Sequence, residues 1–172
     1  MCLAAVLVSL VCTPARVTAQ FDDAQVKAAF LLNFLKFVTW PDPQASSSEP
    51  LEVIVLGDDG LARVLEQAAA KQAVGGRPIV VRAVRSARDL PEAPALLFIG
   101  ATERNRLAGL LRQYEGRPVL TVGDGAGYGA AGVVLNFYTS DTRIRFEANT
   151  TAAARAGLQI SSHLLRLARI VG

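Results

Sequence analysis

Leu51-Glu52-Val53-Ile54-Val55-Leu56-Gly57-Asp58-Asp59-Gly60 decides how the rest of the chain is read. Six residues of strand character end in a glycine–aspartate turn. Leu61, Val64, Leu65 and Ala68 then recur at helical spacing. A strand that gives way to an amphipathic helix in this manner is the first half of a strand–helix–strand unit. The other half follows, because Gly75-Gly76 turns the chain and Ile79 to Val84 reads as a second strand. Ala95-Leu96-Leu97-Phe98-Ile99 is wholly apolar, as a central strand covered on both faces should be. Thr102 is the expected cap of a helix carrying Leu107, Leu110, Leu111 and Tyr114 and stopped by Gly116, after which Pro118 to Val122 supplies a fourth strand. Strands separated by helices imply right-handed parallel crossovers, with helices on both sides of the sheet.

Toward the C-terminus the pattern changes. Val133 to Tyr138 and Thr142 to Glu147 read as an antiparallel hairpin turning at Thr139-Ser140-Asp141. Ile144 and Phe146 face one way and Arg143, Arg145 and Glu147 the other, which predicts a strand with one solvated side near a sheet edge. Asn149 is placed to cap a short alanine-rich helix closed by Gly157. A last helix is expected to carry Leu164, Leu167, Ala168 and Val171, with Arg166 and Arg169 near its negative end. The fold expected is α/β, a three-layer α/β/α sandwich around a mostly parallel sheet of roughly five to six strands with a C-terminal antiparallel hairpin.

Toward the N-terminus, Asp22-Asp23 precede a helix running to about Thr39 and ended by Trp40-Pro41. Val26, Phe30, Phe34, Phe37 and Val38 form one stripe, and Leu31, Leu32 and Leu35 widen it. So apolar a helix is mostly buried or offers part of its surface to a partner. Pro41, Pro43 and Ser46 to Ser48 read as a loop. Before the helix, Leu3 to Val11 is an apolar run too short for the ~20 residues that span a bilayer. Pro14 and the small residues of Val17-Thr18-Ala19 follow, so residues 1–19 read as a secretory signal cleaved after Ala19, leaving a single domain over 20–172. Cys2 and Cys12 both leave with that segment. No later stretch approaches a membrane span, so export without membrane insertion is expected.

The chain has 172 residues, 51% hydrophobic and 19% charged, which excludes disorder. A net charge of +3 with no basic block argues against nucleic acid as a partner. Equipment for chemistry is thin. The single histidine, His163, follows Ser161-Ser162 at a helix start, where a surface or capping role is expected. No G-x-S-x-G elbow and no clustered metal ligands occur, so neither catalysis nor a cofactor is expected. Gly57-Asp58-Asp59-Gly60 lies where phosphate loops sit, but its aspartates would repel a phosphate and suit a helix cap. The loop Gly123-Asp124-Gly125-Ala126-Gly127-Tyr128-Gly129 lacks a P-loop lysine and is expected to lead into a strand. It reads as a mobile loop, with a ligand clamp as the alternative. Asn149-Thr150-Thr151 matches a glycosylation sequon that is common by chance. What remains is surface: the alternating charges of Arg143 to Asn149, and a partly exposed Phe37 or Trp40, with core the expected place for Trp40.

Several of these segments together resemble the YfiR-like family of bacterial periplasmic proteins. They are Val26 to Pro41, Val53 to Asp59, Leu97 to Gly100, Val119 to Asp124 and, most specifically, Arg143-Ile144-Arg145-Phe146-Glu147-Ala148-Asn149 with Ala156 to Ala168. Two departures stand out: Ala131-Gly132 replaces a usual glycine pair, and the exported chain lacks the cysteines some members use. The resemblance implies a non-enzymatic α/β protein of the periplasm, typically a homodimer. It implies binding to the periplasmic domain of an inner-membrane diguanylate cyclase, which is thereby repressed, lowering cyclic-di-GMP and biofilm formation. An outer-membrane OmpA-like lipoprotein would relieve that repression. Phe146, Glu147 and Asn149 with Leu158 and Ile160 are expected to carry the partner interface. The alternative is a periplasmic small-ligand sensor feeding another membrane signalling system, with the Gly123–Gly129 loop as its site.

Overall fold

The computed structural model describes residues 23–42 and 47–172; the expected leader with its two cysteines, and part of the proline–serine loop, lie outside them. Helix α1 (Asp23–Phe37) leads into the short strand β1 (Val38–Thr39). Strand β2 (Leu51–Leu56), helix α2 (Asp59–Ala69), and strands β3 (Ala73–Val74) and β4 (Arg77–Val84) form the first crossover. Strand β5 (Leu96–Ile99), helix α3 (Leu107–Gln113) and strand β6 (Leu120–Gly123) form the next. A one-turn helix α4 (Tyr128–Ala131) precedes the hairpin of β7 (Leu135–Ser140) and β8 (Arg143–Ala148). Helix α5 (Thr150–Arg155), strand β9 (Gln159–Ile160), helix α6 (Ser162–Leu165) and strand β10 (Arg169–Ile170) finish the chain.

The main sheet runs β10-β8-β7-β6-β5-β2-β4-β3. From β4 through β7 every pairing is parallel, β7 and β8 are antiparallel, and β10 lies parallel to β8. The two-residue edge strands β3 and β10 carry the count to eight among the described residues, beyond the five or six expected. Alternation along each strand divides the core. Val53, Val55, Phe98 and Val122 face α1, α2 and α5, whereas Ile54, Leu56, Leu97 and Ile99 face α3. Each such side chain contributes about 1.5–3 kcal/mol by leaving water.

Three expectations are corrected, and the choice between surface and core for Trp40 is decided. The buried line of α1 is Ala28, Leu31, Leu32, Phe34 and Leu35, while Phe37 is exposed, because the leucines pack toward α2 and the rings of Phe30 and Phe34 pack against Phe137 and Phe146. Trp40 is buried, its indole N–H donating to the Ala95 carbonyl at 3.2 Å. Thr102 does not cap a helix. A 3-10 segment, Ala101–Arg106, precedes α3, and the Thr102 hydroxyl donates to the Gly57 carbonyl. The last helix is the single turn α6, since the chain then joins the sheet as β10 beside Glu147 and Ala148.

The hairpin also turns later than predicted. Ser140 pairs with Arg143, and the two residues between, Asp141 and Thr142, both have positive φ (50° and 63°). Such a turn matches the twist of the flanking strands, which outweighs the cost of a β-branched residue in that conformation.

Candidate functional site

Open α/β sheets bind ligands in the crevice beyond the carboxyl ends of their parallel strands. Here those ends are Gly57, Gly100 and Gly123. After β2 only the first of the two aspartates is the expected cap: Asp58 Oδ1 accepts from the Leu61 amide at 2.9 Å, whereas Asp59 pairs with Arg85. At Gly100 a side chain would approach the Gly57 carbonyl to 2.7 Å, so neighbouring strand ends already touch there.

At Gly123 the protein fills its own crevice. A Cβ there would lie 2.7 Å from the Tyr128 ring and 2.8 Å from Asn136 Oδ1, so only glycine admits both. Tyr128 is 1% exposed, and its hydroxyl lies 3.3 Å from the carbonyls of both Gly100 and Ala101. Burial pushes the Tyr128 phenol pKa above its ordinary value. Arg104 lies over the ring and donates to the Ala126 carbonyl. Asn136 accepts from the Gly125 amide and donates to the Gly125 carbonyl, and Lys27 of α1 pairs with Asp124 at 2.6 Å. The loop leads into α4 and not directly into a strand. The loop is thus a plug fastened at four points.

From Gly123 a polar row crosses the sheet in register: Gly123 opposite Asn136, Asn136 opposite Glu147, Glu147 opposite Arg169. Asn136, Glu147 and Asn149 are 1%, 7% and 6% exposed. Asn136 donates to Glu147 Oε2 at 3.2 Å, and the Arg169 guanidinium pairs with Oε1 while resting 4.1 Å above the Tyr138 ring. The hydrogen bond to Glu147 holds the Arg169 pKa above its ordinary value. Asn149 Oδ1 caps α5 by accepting from the Ala152 amide, and its Nδ2 donates to the Gly129 carbonyl, tying the plug to the corner. A buried carboxylate satisfied on both oxygens specifies one arrangement of its neighbours.

The five predicted interface residues gather in this C-terminal corner, but four are interior. Phe146 packs edge-on to Phe34 at 5.0 Å, Leu158 is core, and Glu147 and Asn149 belong to the polar row. Glu147 is therefore not on a solvated strand face with Arg143 and Arg145, because Gly129 of α4 and the Arg169 side chain close over its carboxylate. Ile160 reaches the surface in part and pairs with Val38, so that β9 and β1 join the C-terminal segment to the end of α1. Ser161 caps α6, and His163 is exposed beside Arg166 with its ring 5.2 Å from Phe37. Phe37, Leu167 and Ile170 are open apolar side chains. Sequence reasoning missed Tyr128, Asn136 and Arg169. A lone asparagine inside Val133-Val134-Leu135-Asn136-Phe137 was the available signal.

Among the described residues no group of His, Cys, Asp and Glu is placed to hold a metal ion, and no helix is long and apolar enough to cross a membrane. The fold is similar to that of a conserved domain protein from Vibrio cholerae O1 biovar El Tor strain N16961, known from a crystal structure. The match has a TM-score of 0.61 and 13% identity, and covers 87% of this chain and 60% of that one. The chain thus spans about three fifths of that protein's length. A family model described as YfiR/HmsC-like matches residues 24–169, from α1 into β10. With the plugged crevice and the tied C-terminal corner in view, that match places the chain in the YfiR/HmsC-like family, whose members are periplasmic, non-enzymatic regulators in cyclic-di-GMP signalling.

Proposed function

We propose that this protein represses an inner-membrane diguanylate cyclase by binding its periplasmic domain, lowering cyclic-di-GMP and with it biofilm formation. An outer-membrane OmpA-like lipoprotein competes for the same protein and relieves the repression. The observation that carries this reading is the family match across residues 24–169. The plug is consistent with it: Tyr128 occupies the crevice where an α/β fold would seat a small ligand, so the Gly123–Gly129 loop serves structure.

The partner surface in this proposal is the C-terminal corner. Ile160 stands at its rim, Phe146 and Leu158 support it from beneath, and Glu147 and Asn149 fix the backbone that presents it. The corner joins both ends of the domain through β1 and β9, so a homodimer or a bound partner there would sense the fold as a whole. The test is cellular. Deleting the gene should raise cyclic-di-GMP and attached biomass, and restoring the exported protein should return both to their starting levels. Unchanged cyclic-di-GMP on deletion, with the cyclase expressed, would refute the repressor reading.

A further inference from the structure

We infer that the cavity between α3 and α5 is a binding site for a small amphipathic monocarboxylate. The cavity is an open hollow of about 330 Å3, the lower end of the range for small organic ligands. Its floor is apolar, formed by Leu111, Val119 and Val134. Thr121 adds one hydroxyl, whose oxygen already accepts from the Val134 amide at 3.0 Å, so the hydroxyl hydrogen is what it offers a ligand.

Two cations stand at the rim, Arg112 on the last turn of α3 and Arg155 on the last turn of α5. Arg82, Arg85, Arg106, Arg117 and Arg169 each reach a carboxylate, whereas surface arginines such as Arg143 and Arg145 do not; what sets the two rim arginines apart is that they share one hollow. Arg112 and Arg155 have no carboxylate partner among the described residues, although both line the same hollow. A planar guanidinium meets a carboxylate through two parallel hydrogen bonds, and an apolar floor accepts the hydrocarbon or ring behind it. Glu115 also lines the cavity and opposes a second negative group, which favours a monoanion over a dicarboxylate or a phosphate. With the strand-end crevice filled by Tyr128, this hollow joins an apolar floor to uncommitted cations. The inference is independent of the cyclase reading, because it concerns the isolated protein.

Calorimetric titration of the purified protein with 4-phenylbutyrate, its neutral amide and inorganic phosphate tests it, with amide-proton NMR shifts locating the site. The carboxylate should saturate a single site on α3 and α5 and bind about tenfold more tightly than the amide. Arg112→Gln and Arg155→Gln should each weaken it by about tenfold while the melting temperature stays put, since neither side chain holds the fold together. Equal binding of acid and amide, tighter binding of phosphate, shifts that map elsewhere, or no saturation would each overturn the proposal.

Discussion

The crossover half of the molecule and its C-terminal corner are held together by different physics. From β2 to β6 the sheet is parallel and apolar on both faces, with Ile54, Leu56, Leu97, Phe98 and Ile99 all fully buried. Stability there comes from area removed from water, and many side chains share it. In the corner, the row Asn136–Glu147–Arg169 and the cap Asn149 hold β7, β8, β10 and the plug through a few specific bonds. Losing a core methyl group leaves a small void, whereas losing one partner of a buried polar network leaves another group unsatisfied. The corner therefore concentrates its structural information in few residues.

Substitutions can break this contrast. The largest effect is expected from Glu147→Lys, which sets a cation beside Arg169 in a nearly closed site; a buried charge without a counterion costs about 3–5 kcal/mol. Hydrogen exchange should then rise first in β8, β10 and the Gly123–Gly129 loop. Leu97→Ala should cost about 2–5 kcal/mol as well, but exchange should rise across β2, β5 and β6 together. If the two variants loosen the same amides, the division into two regimes is wrong.

A smaller loss, about 1–3 kcal/mol by urea unfolding, is expected for Gly123→Ala, whose methyl group would press on Tyr128 and Asn136. An unchanged midpoint would mean that the plug gives way freely. The alkaline limb offers a finer probe. Burial raises the Tyr128 pKa above its ordinary 10.0, so the unfolded chain ionises first, and stability falls as pH climbs from that value through the folded one. Tyr128→Phe should flatten that fall above the ordinary phenol pKa, measured as the urea midpoint against pH; an identical slope would mean that Tyr128 ionisation does not govern it. The smallest effect belongs to Arg82→Ala, whose exposed pair with Glu52 should be worth at most about 1 kcal/mol.

The same contrast explains what could be read from the sequence. Strands β2 and β5 announce themselves because apolar runs bounded by glycine need only local information, and the caps at Asp58 and Asn149 are local as well. Glu147 was assigned to a solvated face because strand alternation grouped it with Arg143 and Arg145. Its actual partners lie 11 residues before it and 22 residues after it, and the second arrives only because the chain leaves α6 and adds a strand. Periodicity carries no signal for a parallel pairing of two residues. Tyr128 was hidden for a related reason: a glycine-rich loop looks open until the side chain those glycines make room for is found on top of them.

Whether the proposed partner meets the C-terminal corner is decided by titrating the protein against the purified periplasmic domain of a membrane diguanylate cyclase, with Ile160→Asp at the corner and Val80→Asp at the far edge. A saturable complex is expected, weakened at least about tenfold by Ile160→Asp and unaffected by Val80→Asp, with all three proteins equally folded. Equal affinity for Ile160→Asp and the unaltered protein would contradict it.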